Sequence, residues 1–124
     1  MTPFAIGAVA GLAMLQASIT AQRNNYADCL GKASHQAAAQ QVAPDQYSAF
    51  ASQQCAAQAE RFKSVLIAFD TKNGIKKSQA TEDAQLQVED FLAVSAEKYQ
   101  SKAPKKPAQL PQPVQAAAPA QPQE

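Results

Sequence analysis

Cys29 lies 13 residues before Val42, and Cys55 lies 13 residues after it. Pro44 follows two residues after Val42. Proline disfavours helical geometry in the residue before it but suits the first turn of a following helix. Two antiparallel helices joined at this turn would place residues equidistant from its centre opposite each other. The sequence therefore predicts a helical hairpin cross-linked by a Cys29–Cys55 disulfide.

This predicted bridge would close a loop of about 27 residues and contribute roughly 3 to 4 kcal/mol in the chain-entropy model. A core of this size typically supplies only about 3 to 5 kcal/mol, so the bridge would be essential. The alternative is a pair of buried free thiols, which an oxidising compartment disfavours. The spacing of Cys29 and Cys55 excludes a CxxC redox pair.

Apolar residues recur at spacings of three and four over three segments, which is typical of helices. The first predicted helix runs from about Asn25 to Gln41, the second from Pro44 to about Lys72, and the third from after Ser78 to about Ser101. The core-facing positions of the three helices are Tyr26, Cys29, Leu30, Ala33 and Ala37; Ala51, Cys55, Ala59, Phe62, Leu66 and Phe69; and Ala84, Val88, Phe91, Leu92, Ser95 and Tyr99. We expect an all-α fold, either a small up-down three-helix bundle or a helical hairpin with a third helix laid along it.

Composition supports helix and excludes one class of partner. Tryptophan is absent, while Ala and Gln, which lose little rotamer freedom in a helix, are abundant. Eleven Lys and Arg balance ten Asp and Glu, so the chain lacks the basic footprint of a nucleic-acid-binding protein.

The amino-terminal residues 1–21 resemble a secretion signal in length and polarity. The apolar stretch from Phe4 to Leu15 is too short to span a bilayer, and the best peptidase site follows Ala21. The first three residues lack the usual Lys or Arg, however, so an uncleaved signal anchor holding Phe4–Thr20 in the membrane is the alternative. Cleavage predicts a periplasmic or secreted helical domain over residues 22–102, beginning at Gln22.

Residues 103–124 form a tail dense in Pro, Ala and Gln. Few of these residues can support burial, so we expect the tail to be disordered.

No phosphate loop, dinucleotide-binding fingerprint, zinc-protease motif or nucleophile elbow occurs in the chain. The single histidine, His35, falls off the predicted core stripe and has no second metal-ligand candidate nearby. Four carboxylates form adjacent pairs that are typical of a solvated helix face, namely Glu82, Asp83, Glu89 and Asp90. We therefore predict no catalytic, cofactor-binding or metal site.

The most basic cluster is Lys72, Lys76 and Lys77, at the turn between the second and third predicted helices. It is a possible contact for an anion or a partner, although such a cluster is usually only solvated.

The leading hypothesis is an exported, non-enzymatic interaction protein whose partner is an unknown protein or envelope component. The alternative is a signal-anchored envelope spacer, which would contact the membrane only if the amino-terminal segment stays uncleaved. A small enzyme that uses the acidic pairs ranks third.

Overall fold

The computed structural model describes residues 7–102, with side chains from Gly11 onward. This range contains α1 (Gly7–Ala39), a 3₁₀ turn (Pro44–Gln46), α2 (Tyr47–Gln54), α3 (Ala56–Lys72) and α4 (Lys77–Lys102), with no strand among the described residues. The all-α prediction is confirmed. The predicted disordered tail, residues 103–124, and the first six residues of the predicted signal lie outside the described residues.

Helix α1 is longer than the periodicity predicts, because it begins at Gly7 rather than near Asn25. The expected start is wrong for a simple physical reason: no proline or glycine lies between Gly11 and Gly31. The Ala, Leu, Met, Gln and Arg residues of this stretch are all good helix formers. The predicted cleavage site after Ala21 therefore lies within continuous helix in the full chain.

The end of α1 is closed by a residue other than glycine. Gln41 adopts a positive φ of 57°, and the Val42 amide donates to the Ala37 carbonyl at 2.9 Å. The Gln41 amide donates to the Ala38 carbonyl at 3.1 Å, which completes a Schellman motif. The chain thus turns at the predicted position.

The second predicted helix is divided into α2 and α3 at Cys55, where φ is −113° and ψ is 20°. Hydrogen bonding nevertheless continues around the break, from the Cys55 amide to the Ala51 carbonyl and from the Ala59 amide to the Cys55 carbonyl, both at 2.9 Å. The interruption falls on the cross-linked residue, so it changes the course of the helix without ending it.

Helix α3 ends as predicted at Asn73 and Gly74. Gly74 has a φ of 90°, a conformation that glycine adopts without steric cost. The Ile75 amide donates to the Asp70 carbonyl at 3.0 Å and the Gly74 amide to the Thr71 carbonyl at 3.1 Å. This Schellman motif leads within a few residues into α4.

The core lies where α1, α3 and α4 meet, with α2 packed against α1 and α4. Its centre is an aromatic cluster in which the Phe62 and Phe91 rings meet edge to face, with centroids 5.6 Å apart, and Tyr26 lies 6.1 to 6.2 Å from both. The predicted core positions are largely buried; those below 9% exposure are Tyr26, Leu30, Ala33, Ala37, Ala51, Cys55, Phe62, Leu66, Ala84, Val88 and Tyr99. The three-and-four periodicity therefore identified most of the core, although it omitted the buried Tyr47 and Ala80.

Candidate functional site: a groove between α1 and α4

A groove of about 690 Å³ lies between α1 and α4. Its lining is mostly apolar and comes only from these two helices. The lining residues are Ala27, Leu30, Gly31, Ser34, His35 and Ala38 from α1, and Asp90, Phe91, Val94, Ser95, Lys98, Tyr99 and Lys102 from α4.

The groove exists because α1 presents small side chains toward it. Ala27, Gly31, Ser34 and Ala38 recur at helical spacing along one face. A Cβ built at Gly31 would meet no atom within 4 Å, so the space beside this residue is open. On the facing helix, the larger Phe91 and Val94 form the opposite wall.

The floor of the groove is fixed by buried tyrosines. The Tyr47 ring stacks on the Tyr99 ring with centroids 4.4 Å apart, and the Tyr47 hydroxyl lies 2.6 Å from the Ser95 hydroxyl and 3.3 Å from the Leu30 carbonyl. The Tyr99 hydroxyl donates to the Val42 carbonyl. These contacts tie α1, α2 and α4 together beneath the groove, so its walls are held by the core.

Charge is distributed unevenly along the groove. Asp90 lies nearer the start of α4, whereas Lys98 and Lys102 lie about two and three turns further along the same helix. Val94 stands between them on the α4 wall and is 49% exposed. The groove is therefore an apolar channel with an acidic end and a basic end.

Tyr26, in the aromatic cluster of the core, is a buried titratable group. Burial, reinforced by the neighbouring Tyr47, raises the pKa of Tyr26 above its ordinary value. The Tyr26 hydroxyl is 3.4 Å from the Val88 carbonyl, to which it donates. The phenol therefore acts as a neutral structural donor.

The structure confirms the predicted disulfide between Cys29 and Cys55, with the two Cα atoms 5.8 Å apart. The other predicted contact residues, Lys72, Lys76 and Lys77, are all exposed around the α3–α4 turn and do not line the groove. The position of a Cβ at Gly11 would lie 3.3 Å from the Lys72 Nζ, so this ammonium approaches α1. Their role as an anion or partner contact stays a prediction.

Of the remaining candidates, His35 is exposed, as its place off the core stripe predicts. Only Asp90 of the two acidic pairs lines the groove together with it; Glu82, Asp83 and Glu89 do not. Sequence reasoning missed the groove residues Gly31, Ser34, Val94 and Lys98. The α1 residues belong to a stripe of small side chains beside the one that faces the core, whereas no signal in the sequence marked Val94 and Lys98.

Within residues 7–102, no cluster of three histidine, cysteine or acidic side chains is placed to hold a metal ion. None of the helices in that range has the length and apolarity needed to cross a membrane.

The sequence matches no known family model, and no curated protein or solved structure shows significant similarity to it.

Proposed function

We propose that this chain is an exported, non-enzymatic binding protein that recognises a partner through the groove between α1 and α4. The main support for this proposal is the groove itself. It is apolar, partly open, and supported from below by the Tyr47–Tyr99 stack. Exposed apolar channels on small proteins commonly mark interaction sites.

Two features support export to a periplasmic or extracellular location. The Cys29–Cys55 disulfide is a modification that persists in oxidising compartments and is rare in the cytosol. The apolar amino-terminal segment has the length of a signal-peptide core.

The weak packing of the amino-terminal segment against the rest of the domain supports removal of the signal. Of the side chains from Gly11 to Ala21, only Ile19 is buried, and Met14 is 74% exposed. Cleavage after Ala21 would remove Ile19 from the edge of the core but would leave the aromatic cluster and the disulfide in place. A mostly apolar segment that buries so little surface in the folded domain is typical of a sequence that functions in a membrane or translocation channel.

For the architecture, we propose an up-down three-helix bundle in which α2 and α3 together form the second helix. Contacts between Tyr26 and Phe62, and between Gly11 and Lys72, support antiparallel packing of α1 and α3. The hydrogen bond from the Lys63 Nζ to the Gln85 Oε1, at 3.1 Å, joins α3 to α4, and the short connection between Lys72 and Lys77 favours antiparallel packing of these two helices.

Site-specific photo-crosslinking tests the binding role. A photoreactive amino acid at Val94, on the groove wall, is expected to capture a partner in intact cells. The matched control carries the photoreactive amino acid in place of Gln100, which is exposed on α4 but lies outside the groove. This control is expected to capture no partner. Equal capture at both positions, or none at Val94, would contradict the proposal.

A further inference from the structure

We propose that the partner in the groove is a second copy of this chain, bound about a two-fold axis with the two α4 helices antiparallel at Val94. This inference rests on the proposed binding role of the groove and names its occupant. It follows from the pattern of charge, shape and exposure along α4.

The charge pattern is self-complementary. Asp90 and Lys98 lie four residues before and four residues after Val94, and all three line the groove. When two copies of a helix pack antiparallel about a residue, positions equidistant from that residue face each other. Asp90 of one copy would therefore face Lys98 of the other, and two-fold symmetry would form this ion pair twice.

Among the residues that the structure describes, neither Asp90 nor Lys98 has an oppositely charged partner in the same copy. In the described part of the chain, the ion pair present is Lys63 with Glu60 on α3, and neither Asp90 nor Lys98 takes part in one. Both lie on exposed positions of α4. They are consequently available to a partner without any rearrangement of the fold.

The shapes also match. Val94 is a large apolar side chain that is 49% exposed at the centre of this pattern. The space beside Gly31, on the facing helix, is open, and we expect it to receive this side chain from the second copy. Since each copy offers both the protruding valine and the space, the contact is isologous and closes at two copies.

A dimer also fits the energetics of so small a domain. Cores of this size leave little margin, and association is one of the usual ways in which small domains gain stability. Burying Val94 and the small-residue wall of α1 would remove apolar surface from water in both copies.

A charge swap tests the inference on the purified, disulfide-bonded protein. Wild-type protein is expected to sediment as a concentration-dependent dimer. Asp90→Lys alone and Lys98→Asp alone would each place like charges opposite one another twice per dimer, and we expect each to weaken the dimer at least about tenfold. The double variant D90K/K98D restores opposite charges and is expected to dimerise within about threefold of wild type.

Glu89→Lys is the matched control, since it makes the same charge change one residue away and outside the groove. It is expected to leave the dimer unchanged, and circular dichroism of every variant checks that the fold is retained. Equal weakening by Glu89→Lys, or failure of the double variant to recover, would overturn the inference.

The dimer and the binding role can fail separately. A wild-type protein that stays monomeric throughout the accessible concentration range overturns the second-copy inference. If the Val94 photo-adduct then contains a different protein, the groove is still a binding site and only its occupant is wrong. If Val94 captures nothing, both proposals fail.

Discussion

Replacing Phe62 with alanine is expected to lower the free energy of unfolding by about 3 to 5 kcal/mol, the range found when large core aromatics are truncated. Phe62 is 0% exposed and contacts both Phe91 and Tyr26. Its removal would leave a cavity where α1, α3 and α4 meet and would break all of the ring contacts that Phe62 makes. A loss of this size would leave little of a small domain's total stability.

Chemical denaturation followed by circular dichroism measures this effect. Leu86→Ala provides the matched control, because Leu86 is a large apolar residue that is 58% exposed on α4 and is expected to change stability by less than about 0.5 kcal/mol. If the two substitutions lower the free energy of unfolding equally, Phe62 is not at the centre of the core and the packing of α1, α3 and α4 around it is wrong.

Removing the disulfide with Cys29→Ala and Cys55→Ala together is expected to cost about 3 to 4 kcal/mol, because the unfolded chain regains the freedom of a loop of about 27 residues. For a domain of this size, that corresponds to a fall in Tm of roughly 15 to 25 °C. The helices would keep their apolar contacts with one another but would lose the covalent link between α1 and the junction of α2 and α3.

Thermal melts with and without a reducing agent separate this effect from changes in packing. Reductant should lower the Tm of the wild-type protein to near that of the double variant and should leave the variant unaffected. An unchanged wild-type Tm after verified reduction would show that the bridge contributes little to stability.

The sequence allowed the disulfide and the core to be predicted because both follow from periodicity. Cys29 and Cys55 mirror each other about a turn, and apolar residues at helical spacing marked Phe62, Val88 and Tyr99 as core. Both features depend on which face of a helix a residue occupies. The spacing of residues in a single sequence is enough to assign that face.

Helix boundaries were predicted well only where a residue with special backbone preferences marks them. Gly74 signalled the end of α3, and Pro44 signalled the turn before α2. Gln41 closes α1 in a left-handed conformation without any such signal, and the break at Cys55 occurs with no proline or glycine beside it. The extension of α1 back to Gly7 was not predicted because residues 1–21 were interpreted as a signal to be removed, so helical periodicity was read only in the residues after it.

The groove was not predictable because it is a property of two helices rather than one. The small residues at Ala27, Gly31 and Ala38 lie beside the core-facing stripe of α1 and do not, on one helix alone, indicate a binding surface. They become a channel only when α4 lies opposite and leaves Gly31 uncovered. The same holds for Asp90, which the sequence offered as half of an acidic pair.

Intact mass spectrometry of the native protein, alkylated before and after reduction, tests the central claim that the chain is exported and covalently joined between its helices. The account predicts the mass of a chain that begins at Gln22, with no alkylation before reduction and both cysteines alkylated after it. A chain that retains Met1 and carries two alkylated cysteines before any reduction would contradict it.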